Sequence, residues 1–547
     1  MPGSRVGSGL VGSRGGRSGD QGSRGGRSGD QGSRGGRSGD SGSRGGRSGD
    51  SGSRGGRSGD SGSRGGRSGD QGSRGGGSGD SGSRGARSRH IVWAVLLATS
   101  AFVAGWPVAG EAATGTPGTL TESGNQATIP VGNLPTSVAV DEIRGAVWVV
   151  NSRDNTLSEI SASRRVVIAT LRVGANPVDV AVDQKTATVW VTCLGPFDRP
   201  SADNTVDEVS ETSGRLIASF KVGAAPFGIT ADPRTGTVWV ADSDSSAVSE
   251  ISEARQAVVA VIHTGPGTQP AGVAVDPDTG VVWVANLGGL IEKISEASRS
   301  VTGSIKVRPN SAAESLNAIA AYPGTGTAWA ASDSYVGGSY VSRASVVPQA
   351  AREVTGGVVV SKPTWFSNVA DGIAVDPATS TVWVTESGAN TLTMISAGVR
   401  AVARNLSTGA GPGAVAVDSR NGTAWVTDNT AGTVTEYSYS SPKFTTKSTV
   451  ELVPGKRVSL QVHTKGFPIA IMTVEGALPP GMRARIGEGT VGISGRPAVS
   501  ARGRVFRVSV SADNGVGTAD GQYVFTQQLV IQVGKVHITR TGVQRQR

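Results

Sequence analysis

The segments PFGITADPRTGTVWVADSDSSAVSEIS at 226–252 and PAGVAVDPDTGVVWVANLGGLIEKIS at 270–295 are two copies of one pattern. Each opens with an apolar run such as GVAVD, breaks at a turn of the Asp-Pro-Asp-Thr-Gly kind, resumes as VWVA and passes through a polar loop into a third run such as VSEIS. Alternation at period two predicts short strands. The turn Asp offers an acceptor for turn amides, and the Gly tolerates positive φ. A fourth run, seen in IATLRVG at 168–174, ends in a loop bearing Pro.

Outward from these copies the pattern recurs seven times, with Trp148, Trp190, Trp239, Trp283, Trp329, Trp383 and Trp425 as its markers. Seven residues before each stands Asp141, Asp183, Asp232, Asp276, Tyr322, Asp376 or Asp418, so only the fifth copy departs. Internal repeats outrank local propensity as a guide to fold. One such sheet cannot bury both of its faces, but sheets stacked radially can, with each Trp packed between neighbours. The reading is an all-β fold, a seven-bladed β-propeller over residues 126–439 without helices. The last copy leaves at Ser440 with no fourth strand, and ATIPVG at 127–132 matches the fourth-strand pattern. The N-terminal strand is therefore expected to complete the seventh blade.

These copies resemble the YVTN-type propeller repeats of bacterial and archaeal surface proteins and, more loosely, the streptogramin lyases. The resemblance implies a fold and leaves the chemistry open. Residues 442–535 change pattern, with Gly466-Phe467-Pro468, Leu478-Pro479-Pro480-Gly481, Gly495-Arg496-Pro497 and Asn514-Gly515-Val516-Gly517 set between alternating runs. A small β-sandwich is expected there. This stretch is similar to the immunoglobulin-like domains of secreted actinobacterial proteins, which implies a spacer or adhesion module. Residues 536–547 form a basic tail.

The opposite end has a different composition. Residues 1–89 repeat the decapeptide GSRGGRSGD(Q/S), contain no Phe, Tyr or Trp, and are expected to be a disordered tail. They hold 17 Arg and seven Asp, a surplus that equals the whole chain's formal charge of +10. The folded part is neutral, so the basic pI is no argument for nucleic acid or membrane binding there. The Arg-Gly-Gly units resemble RNA-binding segments but lack interleaved aromatics and carry an Asp in each repeat, which argues against that use. Arg84, Arg87, Arg89 and His90 then precede an apolar run from Ile91, closed by small residues at 109–113. Residues 90–113 read as a signal peptide cleaved near Ala112 or Ala113, giving a secreted or cell-surface protein. The alternative is an uncleaved anchor at 91–110. Cys193 is the only cysteine, so no intrachain disulfide forms. A monomer is expected.

In a propeller, the loops joining fourth to first strands and second to third strands share one face, and loops carry binding. Insertions at 194–204, 332–340 and 362–371 fall on it. Phe197, Phe227, Tyr335, Tyr340, Trp365 and Phe366 are candidates to stack on a carbohydrate or grip a protein ligand. The alternative is that they pack the insertions onto the scaffold. Asn151, Asp242, Asn286, Asp333, Glu386 and Asp428, just after the second strands, read as a candidate Ca2+ or Mg2+ ring of the kind that gluconolactonase-like propellers use, or as loop caps. A metal-dependent lyase or lactonase at the channel mouth is the second functional reading, after a non-catalytic binding or display protein. The streptogramin-lyase resemblance implies a histidine base, but the only propeller histidine, His263, falls at the end of an outer strand. No other catalytic constellation is present.

Overall fold

In a computed structural model of the protein, the structure describes residues 126–196, 204–308, 314–336, 339–354, 356–360 and 370–534. The N-terminal tail, the apolar run, the basic C-terminal tail and the stretches 197–203 and 361–369 lie outside the described residues. Among the described residues, no helix is long and apolar enough to cross a membrane.

The chain is a β-propeller. Each repeat folds as an antiparallel meander whose first strands are Pro135–Asp141, Pro177–Asp183, Pro226–Asp232, Pro270–Asp276, Glu314–Tyr322, Ala370–Asp376 and Pro412–Asp418. These first strands contact one another in sequence, and the last meets the first. Here the sheets are numbered one to seven in chain order.

The turn chemistry works as the repeat implies. Asp141 Oδ1 accepts the amides of Ile143 and Arg144 at 2.7 and 2.9 Å, and Asp418 Oδ1 accepts those of Arg420 and Asn421 at 3.1 and 3.0 Å. Gly145 closes the first turn at φ 66°, the conformation for which glycine is favoured. In the fifth sheet Tyr322 takes the Asp position, its backbone carbonyl accepts the Thr325 hydroxyl, and its own hydroxyl reaches Ser380 of the sixth sheet at 2.8 Å. The departure becomes a bond between sheets.

Each marker Trp is at most 1% exposed and packs on the next sheet. Trp148 lies among Val180, Val189 and Val191, Trp190 among Ile229, Val238 and Val240, and Trp239 among Val273, Val282 and Val284. Trp425 returns to the start, against Val138, Val147 and Val149. The core is thus a ring of inter-sheet seams. Gln126–Pro130 pairs antiparallel with Thr433–Ser438 and supplies the missing outer strand of the seventh sheet.

The fifth sheet departs from the repeat at the insertion read over 332–340. The middle strands of the fifth sheet lengthen to Thr327–Val336 and Ser339–Pro348, leaving only Val358–Val359 as its outer strand. Glu353–Val354 instead adds in parallel to Ser300–Val307 of the fourth sheet.

Beyond Tyr439 two further four-stranded sheets share one core of Leu452, Val462, Met472, Ile493, Val508 and Leu529. They dock against the sixth and seventh sheets. Val516 joins the seam of Trp383, the Gly517 amide donates to Thr379 O at 3.1 Å, and Arg404 Nη2 donates to Ile469 O at 2.8 Å.

Candidate functional site

The first strands begin with Pro in five of the seven sheets, and every one then slips register by a bulge, between Pro135 and Ser137, Pro226 and Ile229, Ala370 and Gly372, and the equivalents. A bulge bends its strand and re-aims the residues within it. In six of the sheets the second and third residues of the strand line the axial cavity, and in the fifth Ser315 and Asn317 do so while Leu316 packs in the core. Threonines two residues after the marker Trp stabilise the irregular backbone: Thr192 Oγ1 accepts the Asp179 amide at 3.0 Å and donates to Phe227 O at 2.8 Å. Thr385 likewise accepts the Gly372 amide at 2.9 Å and donates to Gly413 O.

The bulges enclose an axial cavity of about 370 Å³, lined by residues of all seven first strands. Glycine is required where neighbours approach: a Cβ on Gly228 would sit 2.6 Å from Ala271 O, and one on Gly372 2.8 Å from Gly413 O. The wall is mixed. Val178, Phe227, Ala271 and Leu287 give it apolar surface on sheets two to four, where Asp179 and Ser243 also stand, and Asn317 and Asp371 line it on sheets five and six.

Two carboxyls line this cavity. Asp179 accepts from Ser137 Oγ at 2.5 Å and from the amides of Val180 and Ile229, both at 2.9 Å. Burial still holds its carboxyl above the usual range. Asp371 is pushed up to about 8, first by burial and further by the neighbouring Asp333 carboxylate, against the lowering effect of a bond from Ser387. Neither stood out in the sequence, because both are embedded in strand runs, at PVDVAVD and ADGIAVD. The signal that was there is their offset from the repeat, where other copies carry Gly, Ala or Ser at the position of Asp179.

The candidate cation ring does not converge. The members bond mainly the third strand of their own sheet or a neighbouring loop, Asp333 also accepts the Ala370 amide of the sixth sheet, and Asp242 Oδ1, Asn286 Oδ1 and Asp428 Oδ1 have no protein partner. Asn151 accepts the Gly132 amide at 3.0 Å and donates to Ser158 at 2.8 Å. Asp242 takes Ser249 Oγ at 2.6 Å, Asp333 takes Ser342 Oγ at 2.6 Å, Glu386 takes Thr393 Oγ1 at 2.5 Å and Asp428 takes Thr435 Oγ1 at 2.6 Å. Asn286 donates to Leu290 O at 2.9 Å. Burial pushes Asp242 up to about 7 and Asp333 up to about 6. Among the described residues no group of three or more His, Cys, Asp or Glu could hold a metal ion. The lyase or lactonase reading loses the Asp242, Glu386 and Asp428 set on which it stood. His263 is exposed at the end of its outer strand and does not line the cavity.

The aromatic candidates separate. Phe227 forms part of the cavity wall. Tyr335 and Tyr340 face each other across the lengthened hairpin of sheet five, ring centroids 5.0 Å apart, with Tyr335 52% exposed. Phe197, Trp365 and Phe366 lie outside the described residues.

No family model and no curated protein matches this chain. Among solved structures it is similar to the hydrazine synthase of Kuenenia stuttgartiensis, at 17% identity and a TM-score of 0.47, over 59% of this chain and 99% of that one. It is also similar to the Cps50 (Swd1) β-propeller domain of Myceliophteria thermophila, at 13% identity and a TM-score of 0.46, over 58% of this chain and 100% of that one. Neither likeness bears on chemistry.

Proposed function

We propose that this chain is an exported binding protein: a seven-bladed propeller that holds a ligand in its axial cavity, carried with an immunoglobulin-like sandwich. The observation that carries the reading is the set of seven bulges, which face an axial cavity of about 370 Å³ with a wall that is part apolar and part polar. A concave, mixed wall of this size is the usual form of a small-ligand site. Export rests on the basic flank at Arg84–His90, the apolar run from Ile91 and the small residues that follow it. The docked sandwich serves to present the propeller.

Two measurements test this. The protein is expected in culture supernatant or on intact cells, with a mature N-terminus near Ala112; recovery from the cytosol alone removes the export half. A thermal-shift screen with oligosaccharides, peptides and small metabolites is expected to give hits that Phe227→Ala abolishes. Hits insensitive to that substitution place the ligand elsewhere.

A further inference from the structure

The charge lining the cavity has one sign. Among the described residues, those of its wall that titrate are Asp179 and Asp371, with no Lys, Arg or His beside them. The two are not equivalent. Asp179 is engaged by Ser137 and two backbone amides, one of them from the next sheet. Asp371 has a bond from Ser387 and lies close enough to Asp333 for their charges to oppose each other. Asp333 is itself closed off, by Ser342 Oγ at 2.6 Å, Asn317 Nδ2 at 2.6 Å and the Ala370 amide at 3.1 Å. Asp371 is therefore the carboxyl of this pair that lines the cavity.

A second observation is independent of the carboxyls. Ser243 lines the cavity, is fully buried, and has a hydroxyl with no protein partner; the Asn429 Oδ1 in the same wall also has none. Buried polar groups are normally paired, so unfilled ones in a cavity wall mark where a ligand's polar atoms fit. Three sheets around the ring from Asp371 stands Phe227, with Leu287 on the sheet beside it.

We infer that the axial cavity binds a small organic cation, its ammonium against the Asp371 carboxylate and its apolar body on Phe227 and Leu287. This rests on the reading of the cavity as a ligand site and names the class of ligand. An anionic ligand would meet carboxyls with no base to answer it. A neutral polyol would leave Phe227 and Leu287 unmatched. A cation is drawn by both Asp371 and Asp333, in surroundings where water screens little.

The proton balance follows. In the empty cavity Asp371 holds a proton at neutral pH, because burial and Asp333 favour the uncharged form, with Asp179 the other acid in the wall. The ammonium pairs with the ionised form. Binding therefore releases that proton from Asp371 to solvent, and affinity rises with pH up to about 8.

The test is calorimetry on the full chain with tyramine and with 4-ethylphenol, which has a similar apolar body and no ammonium. Tyramine is expected to bind saturably and about tenfold or more tighter than 4-ethylphenol, with higher affinity at about pH 8.5 than at about pH 6.5 and with buffer-dependent heat that reports proton release. Asp371→Asn is expected to remove both the preference and the pH dependence, and Phe227→Ala to weaken both probes. Equal binding of the two probes to the unmodified chain overturns the inference without any variant, as does tyramine binding that Asp371→Asn leaves unchanged. If neither probe binds while an oligosaccharide or peptide gives a Phe227-dependent thermal shift, the cation is wrong and the cavity remains a ligand site. If nothing binds in either experiment, both readings fall.

Discussion

The Ile229 amide donates to Asp179 Oδ2 at 2.9 Å, while Ser137 donates to the other oxygen of the same carboxylate at 2.5 Å. One side chain of the second sheet thus joins the first and third at the axis, where the strands are closest and a bulge has removed regular pairing. Asp179→Ala leaves the Ile229 amide and the Ser137 hydroxyl without their acceptor. The expected cost is about 2 to 3 kcal/mol, with Asp179→Asn losing less because one oxygen acceptor remains. Urea unfolding followed by tryptophan fluorescence reads it, and an alanine variant with an unmoved midpoint would show that the carboxylate does not tie the sheets.

Ring closure has its own test. Ile129 of the N-terminal strand and Trp425 of the seventh sheet belong to one buried cluster with Val138, Val147 and Val149 of the first. Ile129→Ala and Trp425→Phe should each destabilise by about 1 to 4 kcal/mol, and together by an amount that departs from their sum by about 0.5 kcal/mol or more. Strict additivity in the double-mutant cycle would mean that strand and seam act separately.

A pH dependence is built into the sheet junctions. Glu211, Glu253 and Glu296, each just after a third strand, meet the turn residues Asp141, Asp183 and Asp232 of the preceding sheet. Glu211 and Glu296 also accept the indole N–H of Trp148 and Trp239 at 3.2 and 3.3 Å. Burial first, with the neighbouring acid adding to it, pushes all three glutamates up to about 7. Between the ordinary glutamate value and about 7 the folded chain holds protons that the unfolded chain has released, so this stability is fully present below about 4.5 and is lost as pH rises through 7. The melting temperature should be several degrees higher at about pH 5.5 than at about pH 8, and the triple Glu→Gln variant should flatten the difference. A melting temperature that rises toward pH 8 contradicts the assignment.

The division between what could and could not be read has a physical basis. Turn aspartates, marker tryptophans and the returning strand at 127–132 recur in the sequence because every sheet needs the same turn and the same seam. Burial of Trp148 or Trp425 follows from that periodicity alone. The bulges do not appear as a pattern, since the residues in them run from Gly413 to Phe227 and two of the strands open without Pro, and so the lining role of Asp179, Phe227 and Asp371 emerges only when the strands are placed around an axis. Asp242, Glu386 and Asp428 show the converse. Each follows a second strand and bonds a hydroxyl of the adjoining strand, Ser249, Thr393 or Thr435, and whether such residues converge on one another cannot be read from their repeat position.

The docking of the C-terminal sandwich turns on Tyr523, which is 6% exposed. Its hydroxyl donates to Ser380 O and accepts the Gly398 amide, while Gly515, at φ 82°, lies so close to the sixth sheet that a Cβ there would sit 2.3 Å from Ala403 Cβ. Tyr439 seals the junction from the propeller side, donating its hydroxyl to Asp376 at 2.7 Å beside Trp383, with ring centroids 4.9 Å apart. Because this contact combines paired polar groups with a close backbone approach, the two parts should unfold in one transition. Tyr523→Phe removes one donor and one acceptor and is expected to lower stability by about 1 to 2 kcal/mol while retaining a single transition. Gly515→Val adds bulk where there is no room and a side chain where positive φ disfavours one, so it should separate the melting of sandwich and propeller into two steps. Calorimetric scans that stay single and unshifted for Gly515→Val would show that the close approach at Gly515 does not hold the sandwich to the propeller.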